Sequence, residues 1–303
     1  MLSRHEHRGI VWVDLESPSR DEVKTVMEEF GIEAFVAQEL IMPSARPRSD
    51  FYSKYIFLVL HFPALKKGHR QREQEIDFII GKQFIITTHY EAIDPLHKFS
   101  KVFEVNSILE HSLVGEHAGF VFFAMLKRLY KAIEHELESV RRDLASIEEH
   151  IFSGDEIAMV SAISHVSREF LNIRQTIEPH REILHTLETG GPTFFGIEFT
   201  PFLRGMSNEY YRLHNHVMRL TDSLHELRET NNSLLTSKQN ETVKILTALA
   251  FITIPVSLIA SLFDTYTRRT PILDHQTDFI IMLFVLVLVA AFMFMFFKRR
   301  KWL

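Results

Sequence analysis

The chain contains no cysteine, which excludes disulfides and any thiolate metal site and suits a reducing cytosol. Charge is missing from two long stretches: Ile245 to Phe263 and Phe279 to Phe297 are each nineteen residues without one formally charged side chain. At about 1.5 Å of rise per residue each makes about 28 Å of helix, close to a hydrocarbon core of about 30 Å. Core helices of a soluble protein can be as apolar, but runs of this length, with Phe and Met on every side, rarely find enough core to bury them. Two membrane spans follow. Met1 to Gly9 is polar and His-rich and carries no apolar leader, so the N-terminus is expected to be neither cleaved nor exported. Neither a Gly-rich phosphate loop, nor a nucleophile constellation, nor metal-hydrolase spacing is found, and an enzyme is not expected. The formal net charge is −5 despite a basic tail, which argues against nucleic acid as a partner.

Charge next to the spans sets their direction. Lys298, Arg299, Arg300 and Lys301 follow the second span directly, ahead of Trp302, whereas the stretch between the spans holds only Arg268 and Arg269. The positive-inside rule therefore places both termini in the cytoplasm, with a short external loop over 265–278. The basic residues and Trp302 are the expected membrane anchors.

The first hundred residues have the pattern of a mixed α/β unit. Strand-like runs at Ile10 to Val13, Tyr55 to His61, Ile76 to Ile80 and Phe84 to Thr88 are rich in β-branched and aromatic residues. Ser19 with Glu22 predicts a capping box opening a helix through Phe30, and Asp94-Pro95 predicts a turn or helix start. Beyond about Leu113 the pattern turns wholly helical. One helix is expected from Glu116 to Phe152, ended by Gly154, and a second from Asp155 to Glu188, stopped by Gly190-Gly191-Pro192. A third carries Met206, Tyr210, Leu213, Val217, Leu220, Leu224, Leu227, Asn231 and Leu234 in alternating steps of four and three, a heptad seam. Neither Gly nor Pro interrupts it before Pro255, so it should run straight into the first span, about 90 Å from Phe202 to Phe263. The seam fits a three-helix bundle within one chain or a symmetric oligomer about an axis, and periodicity alone does not choose.

The two spans differ chemically. The second has no polar side chain and suits lipid on most sides, while the first carries Thr247, Thr253, Ser257 and Ser261. Thr247, Ser257 and Ser261 fall on one helix face with Asn240, Val243, Ala250, Ile254 and Asp264. Hydroxyl and small residues line close helix contacts in many membrane bundles. Asn240 and Asp264 at the two ends of the face would be costly in lipid, yet would form rings of oxygen ligands if several copies surrounded water. Val243, Leu246 and Ile254 beside them would form apolar constrictions. Two spans per chain cannot enclose a pore, so conduction requires an oligomer.

Taken together, these residues resemble the CorA family of magnesium channels along nearly the whole chain. Trp12-Val13-Asp14-Leu15 before a Pro-led acidic helix is similar to the family's opening, and Arg46-Pro47-Arg48 before Tyr55-Ile56-Phe57-Leu58-Val59-Leu60 to its basic-Pro-basic turn and strand. Asn240-Glu241-Thr242-Val243-Lys244-Ile245-Leu246-Thr247, Pro255 and the Lys298-to-Leu303 tail are similar to its pore helix and ending. The resemblance implies a homopentamer in a cell membrane, with an α/β cytoplasmic domain over 1–112, a long-helix funnel over 113–242, a pore helix over 243–264, an outer span over 279–297 and a basic tail over 298–303. It implies passive flow of Mg2+, with Co2+ or Ni2+ as substitutes, no other cofactor, and cytoplasmic carboxylates that bind regulatory cations between subunits. One departure stands out. The family's Gly-Met-Asn filter is absent, and the aligned positions read Asp264-Thr265-Tyr266. This opens the ion to question, with zinc or a monovalent ion as alternatives, or a membrane-anchored regulator that no longer conducts. Asp264 is the expected metal-binding substitute. His214 and His216 stand two apart and face different ways on a helix, so a zinc pair there is not expected. His135, His150, His165 and His180 recur every fifteen residues and are expected on solvated faces.

Overall fold

Alternating exposure along Leu2–His7 (β1) marks a strand at the edge of a sheet, while Ile10–Glu16 (β2) alternates little because both of its faces are covered. A computed structural model describes residues 1–44, 46–64, 73–104, 117–267, 275–300 and 302, with side chains for all of these except 102–104, 263–267 and 275–279. Arg48–Phe51 (β3), Tyr55–Pro63 (β4), Glu73–Gly81 (β5) and Phe84–His89 (β6) complete a six-stranded sheet of order β1-β2-β6-β5-β4-β3. Among the described strands the β2–β6 pair is parallel and the other pairs are antiparallel. Every residue of β4 is buried, as expected for a central strand with helices on both sides.

One face of the sheet lies under Arg20–Phe30 (α1) and Ala34–Glu39 (α2), whose Val23, Val26 and Val36 pack into a core with Phe57, Val59, Ile79 and Ile86. The expected capping box opens α1: the Glu22 N–H donates to Ser19 Oγ at 3.3 Å and the Ser19 N–H to the Glu22 carboxylate at 2.8 Å. The opposite face meets Asp94–Glu104 (α3) and the 35-residue helix Gly119–Ser153 (α4), through Trp12 against Phe99 and Phe78 against Phe122.

Two expected helix boundaries fail, both at prolines. The helix expected over Asp155 to Glu188 is two helices, Glu156–Ile177 (α5) and His180–Phe195 (α6). Pro179 disfavours helical backbone at the residue before it and then begins α6, where its missing N–H costs nothing. Gly190-Gly191-Pro192 does not stop α6, which continues to Phe195 and closes at Gly196. The two glycines serve close packing: a Cβ on Gly191 would stand 2.8 Å from Leu203 and one on Gly190 2.8 Å from Phe51.

After a short 3-10 turn at Ile197–Phe199, Thr200–Thr267 forms one helix of 68 residues (α7), and His275–Arg299 forms the last (α8). The chain divides into two compact units: Met1–Ser153 with Met159–Glu226, and Gly154–Ala158 with Leu227–Leu303. Within the first, the heptad seam from Met206 to Leu224 is buried in its own chain. Tyr210 lies against Tyr130 of α4, and Arg212 pairs with Glu134. These positions are spent on packing inside the chain and give no argument for an oligomer.

The first unit also buries polar groups. His180 is fully buried rather than solvated. Its Nε2 lies 2.8 Å from the His61 carbonyl and its Nδ1 3.0 Å from the Tyr130 hydroxyl. A carbonyl can only accept, so Nε2 carries the proton and Nδ1 accepts from Tyr130. Burial pushes the His180 pKa down to about 4. On the other side of the sheet, Asp77 is 1% exposed and accepts from the Tyr90 hydroxyl. Its carboxyl is held well above the usual range by burial and by the neighbouring Glu75 charge. Glu75 accepts the Ser44 N–H on both oxygens, at 2.9 and 2.7 Å.

Candidate membrane pathway

Among the described residues two helices are long and apolar enough to cross a membrane, and only 6% of the most apolar window of each is buried. Along α7 the sheltered positions are Ala248, Ile252, Pro255, Val256, Ile259 and Ala260; along α8 they are Met282, Val285, Leu286, Val289, Ala290, Met293 and Phe297. Both sets step by threes and fours, so each is one helix face, and we read them as the faces the two helices turn to each other. Phe251 and Phe297 stand 6.2 Å apart, centroid to centroid, near the C-terminal end of α8.

The polar face named from the sequence lies elsewhere. Asn240, Val243, Leu246, Ala250, Ile254, Ser257 and Ser261 are all exposed, and Thr247 is half-buried. Val243, Leu246 and Ile254 are 54%, 59% and 66% exposed, which leaves this apolar surface with no cover from its own chain. At 3.6 residues per turn the centre of this face is about half a turn from the α8-facing one. The Thr247 hydroxyl donates to the Val243 carbonyl at 2.7 Å. That satisfies its proton inside the helix and leaves its oxygen lone pairs for a cation or water.

Asp264, Thr265 and Tyr266 fall within the last turn of α7, and their side chains lie outside the described residues. At the other end Lys298, Arg299 and Arg300 are exposed. Arg300 lies over the Phe296 ring at 5.7 Å, and Trp302 stands 5.7 Å from Phe297; Lys301 lies outside the described residues. Among the described residues no group of three or more His, Asp or Glu side chains could hold a metal ion.

One contact has no counterpart in any local sequence pattern. Lys238 of α7 reaches the turn between α4 and α5, pairing with the Glu156 carboxylate at 2.6 Å and donating to the Gly154 carbonyl at 3.1 Å. The partners are 82 and 84 residues apart in sequence, beyond any local pattern.

A long helix carrying a one-sided polar stripe into a span, a second wholly apolar span, and an α/β unit ahead of them match the CorA-like Mg2+ transporter protein family over residues 7–299. The chain belongs to the CorA family. Among its CorA relatives, the cobalt/magnesium transport protein CorA of Thermotoga maritima is 24% identical over 294 residues, covering 96% of this chain and 83% of that protein. The magnesium transport protein CorA of Wolinella succinogenes is 23% identical over 309 residues, covering 99% and 93%. The complete structure of the CorA magnesium transporter from Methanocaldococcus jannaschii superposes with a TM-score of 0.83 at 16% identity, covering 99% of this chain and 93% of that one. At that identity the likeness to the CorA structure speaks for the fold alone.

Proposed function

We propose that this chain forms a CorA-like homopentameric channel for divalent metal cations, Mg2+ first, with Co2+ and Ni2+ as substitutes, in a cell membrane with both termini in the cytoplasm. The observation that carries the proposal is the exposed stripe from Asn240 to Ser261, turned away from α8 by about half a helical turn. A face that is polar at intervals and not covered by its own chain is costly in lipid and useful around water. Copies of α7 arranged about an axis, with α8 outside, would line a path with Asn240, Thr247, Ser257 and Ser261. For a divalent ion a membrane potential of 100 mV supplies about 4.6 kcal/mol, twice the single-charge value, so passive inward flow needs no further coupling. The test is ion uptake into liposomes carrying the purified protein, with Mg2+, Co2+, Zn2+ and Na+ compared. Uptake of Mg2+ driven by potential alone is expected; no uptake of any cation would leave the membrane-anchored regulator.

Val243, Leu246 and Ile254 would close such a path by dewetting. Replacing Ile254 by Ser should raise leak about tenfold in the same liposomes, and unchanged leak for both Ile254→Ser and Val243→Ser would place the gate elsewhere.

Asp264-Thr265-Tyr266 in place of Gly-Met-Asn is what keeps zinc or a monovalent ion as the second reading. Mg2+ gives up its water reluctantly, and a carboxylate ring would hold a hydrated or partly dehydrated ion by charge rather than by amide geometry. Asp264 is the proposed substitute. Asp264→Asn should weaken external divalent block and slow divalent flux about tenfold, while Asp278→Asn should change little. Equal flux and selectivity in wild type and Asp264→Asn would remove Asp264 from the filter.

A further inference from the structure

The turn between α4 and α5 belongs to the same compact unit as the lower part of α7 and the spans. Gly154 ends α4 with φ of +104°, a conformation that favours glycine, and its carbonyl meets Lys238. The carbonyl end of α4 is electrically negative, and Glu156 adds a carboxylate at the first residue of α5. A single ammonium therefore serves both, and it holds the Glu156 carboxyl below its usual range. Asn231, 1% exposed, adds a second hold: its Nδ2 donates to the Glu156 carbonyl at 3.1 Å. An apolar residue would suit this heptad position better for packing; an Asn there fixes one register at some cost in stability. Asn231 and Lys238 are seven residues apart, hence two turns apart on one face of α7. Lys238 and Asn240 are two apart and face different ways, so the hold leaves the polar stripe clear. Lys238 stands about 10 Å along the helix from Ile245, where the span begins.

We infer that the α4–α5 turn is a latch on α7, with Lys238 and Asn231 as positioning residues that fix the base of the span-bearing helix and so the resting width at Val243 and Leu246. For its effect on ions this rests on the conduction proposed above; for the latch itself it does not. The absence of cysteine allows clean spin labels at Asp155→Cys and Ser233→Cys in the full-length protein in lipid, diluted with unlabelled chains so that distances within one chain are read. Lys238→Met and Glu156→Gln should each broaden a narrow distance distribution and raise basal flux about threefold to tenfold. Their combination should do no more than Lys238→Met alone, which already removes both the ion pair and the hold on the Gly154 carbonyl. The exchange of charges, Lys238→Glu with Glu156→Lys, should narrow the distribution in part, because the ion pair returns while a carboxylate now faces the Gly154 carbonyl; a folding defect would not narrow it at all. Asn231→Leu should broaden it less, since the ion pair remains. Unchanged distributions in Lys238→Met and Glu156→Gln would overturn the latch. Broadened distributions with unchanged flux in a conducting protein would overturn its control of the pore. If even the wild type passes no ion, the conduction proposal fails, and the distances alone then decide whether the latch stands.

Discussion

Lysine at position 257 should abolish divalent cation flux, to below about 1% of wild type, while aspartate at the same position should preserve or raise it. Ser257 lies on the exposed face of α7, away from α8, where each copy of an oligomer would present it to the ion. A positive charge about 6 Å from a divalent ion raises its energy by about 5 kcal/mol at an effective dielectric constant near 20, before counting further copies. That corresponds to a fall of more than a thousandfold in passage. Opposite responses to Lys and Asp separate an electrostatic block from misassembly, since either charge would be equally unwelcome in lipid or at a helix contact. Leu249→Ser, one residue off the stripe and exposed, should leave flux unchanged. If Lys and Asp at position 257 act alike, the stripe does not line the ion's path.

The spans were plain in the sequence because nineteen apolar residues without a charge seldom fold any other way than across a bilayer. Strands β4, β5 and β6 were plain too, as was the capping box at Ser19, since these are local patterns with local causes. The polar stripe could be read from spacing; that it turns away from α8 could not, because that depends on which face the second helix chooses. β1 is hidden in the sequence because His, Arg and Glu alternate through it, a composition that suits a solvent-facing edge strand and resembles a loop. The 3-4 apolar spacing persists on both sides of Pro179 and hides the break there. The persistence of α6 through Pro192 was not legible, since it depends on Leu203 and Phe51 closing against the two glycines before it. The heptad seam left its partner open. It correctly announced packing, but its partner is the same chain. The case for several copies therefore rests on the uncovered span and not on the stalk.

His180 shows the same limit, a residue whose spacing suggested a solvated face and whose partners lie 50 and 119 residues away. It also sets the largest expected response to acid. Its imidazole is neutral when folded, with a pKa of about 4 against 6.5 for an ordinary histidine. The unfolded chain therefore binds a proton below pH 6.5 that the folded one refuses. Stability supplied by the neutral ring is present above pH 6.5, is lost as pH falls towards 4, and amounts to about 3 kcal/mol. Asp77 works in the opposite sense: its folded carboxyl holds a proton well above the usual range, so its contribution is present in acid and is lost as pH rises through the folded value. His180→Gln keeps a donor for the His61 carbonyl and an acceptor for Tyr130 but cannot titrate. It should flatten the acid limb between pH 6.5 and 4. Asp77→Asn should raise stability at neutral pH and leave that limb in place. Denaturant unfolding of the detergent-solubilised protein, followed by Trp12 in a Trp302→Phe background, reads the first unit alone, because these are the only two tryptophans. Trp12 is suited to this, being fully buried with its indole N–H on the Thr87 hydroxyl at 2.9 Å. An acid limb as steep in His180→Gln as in wild type would show that another group, and not this buried ring, carries the acid sensitivity.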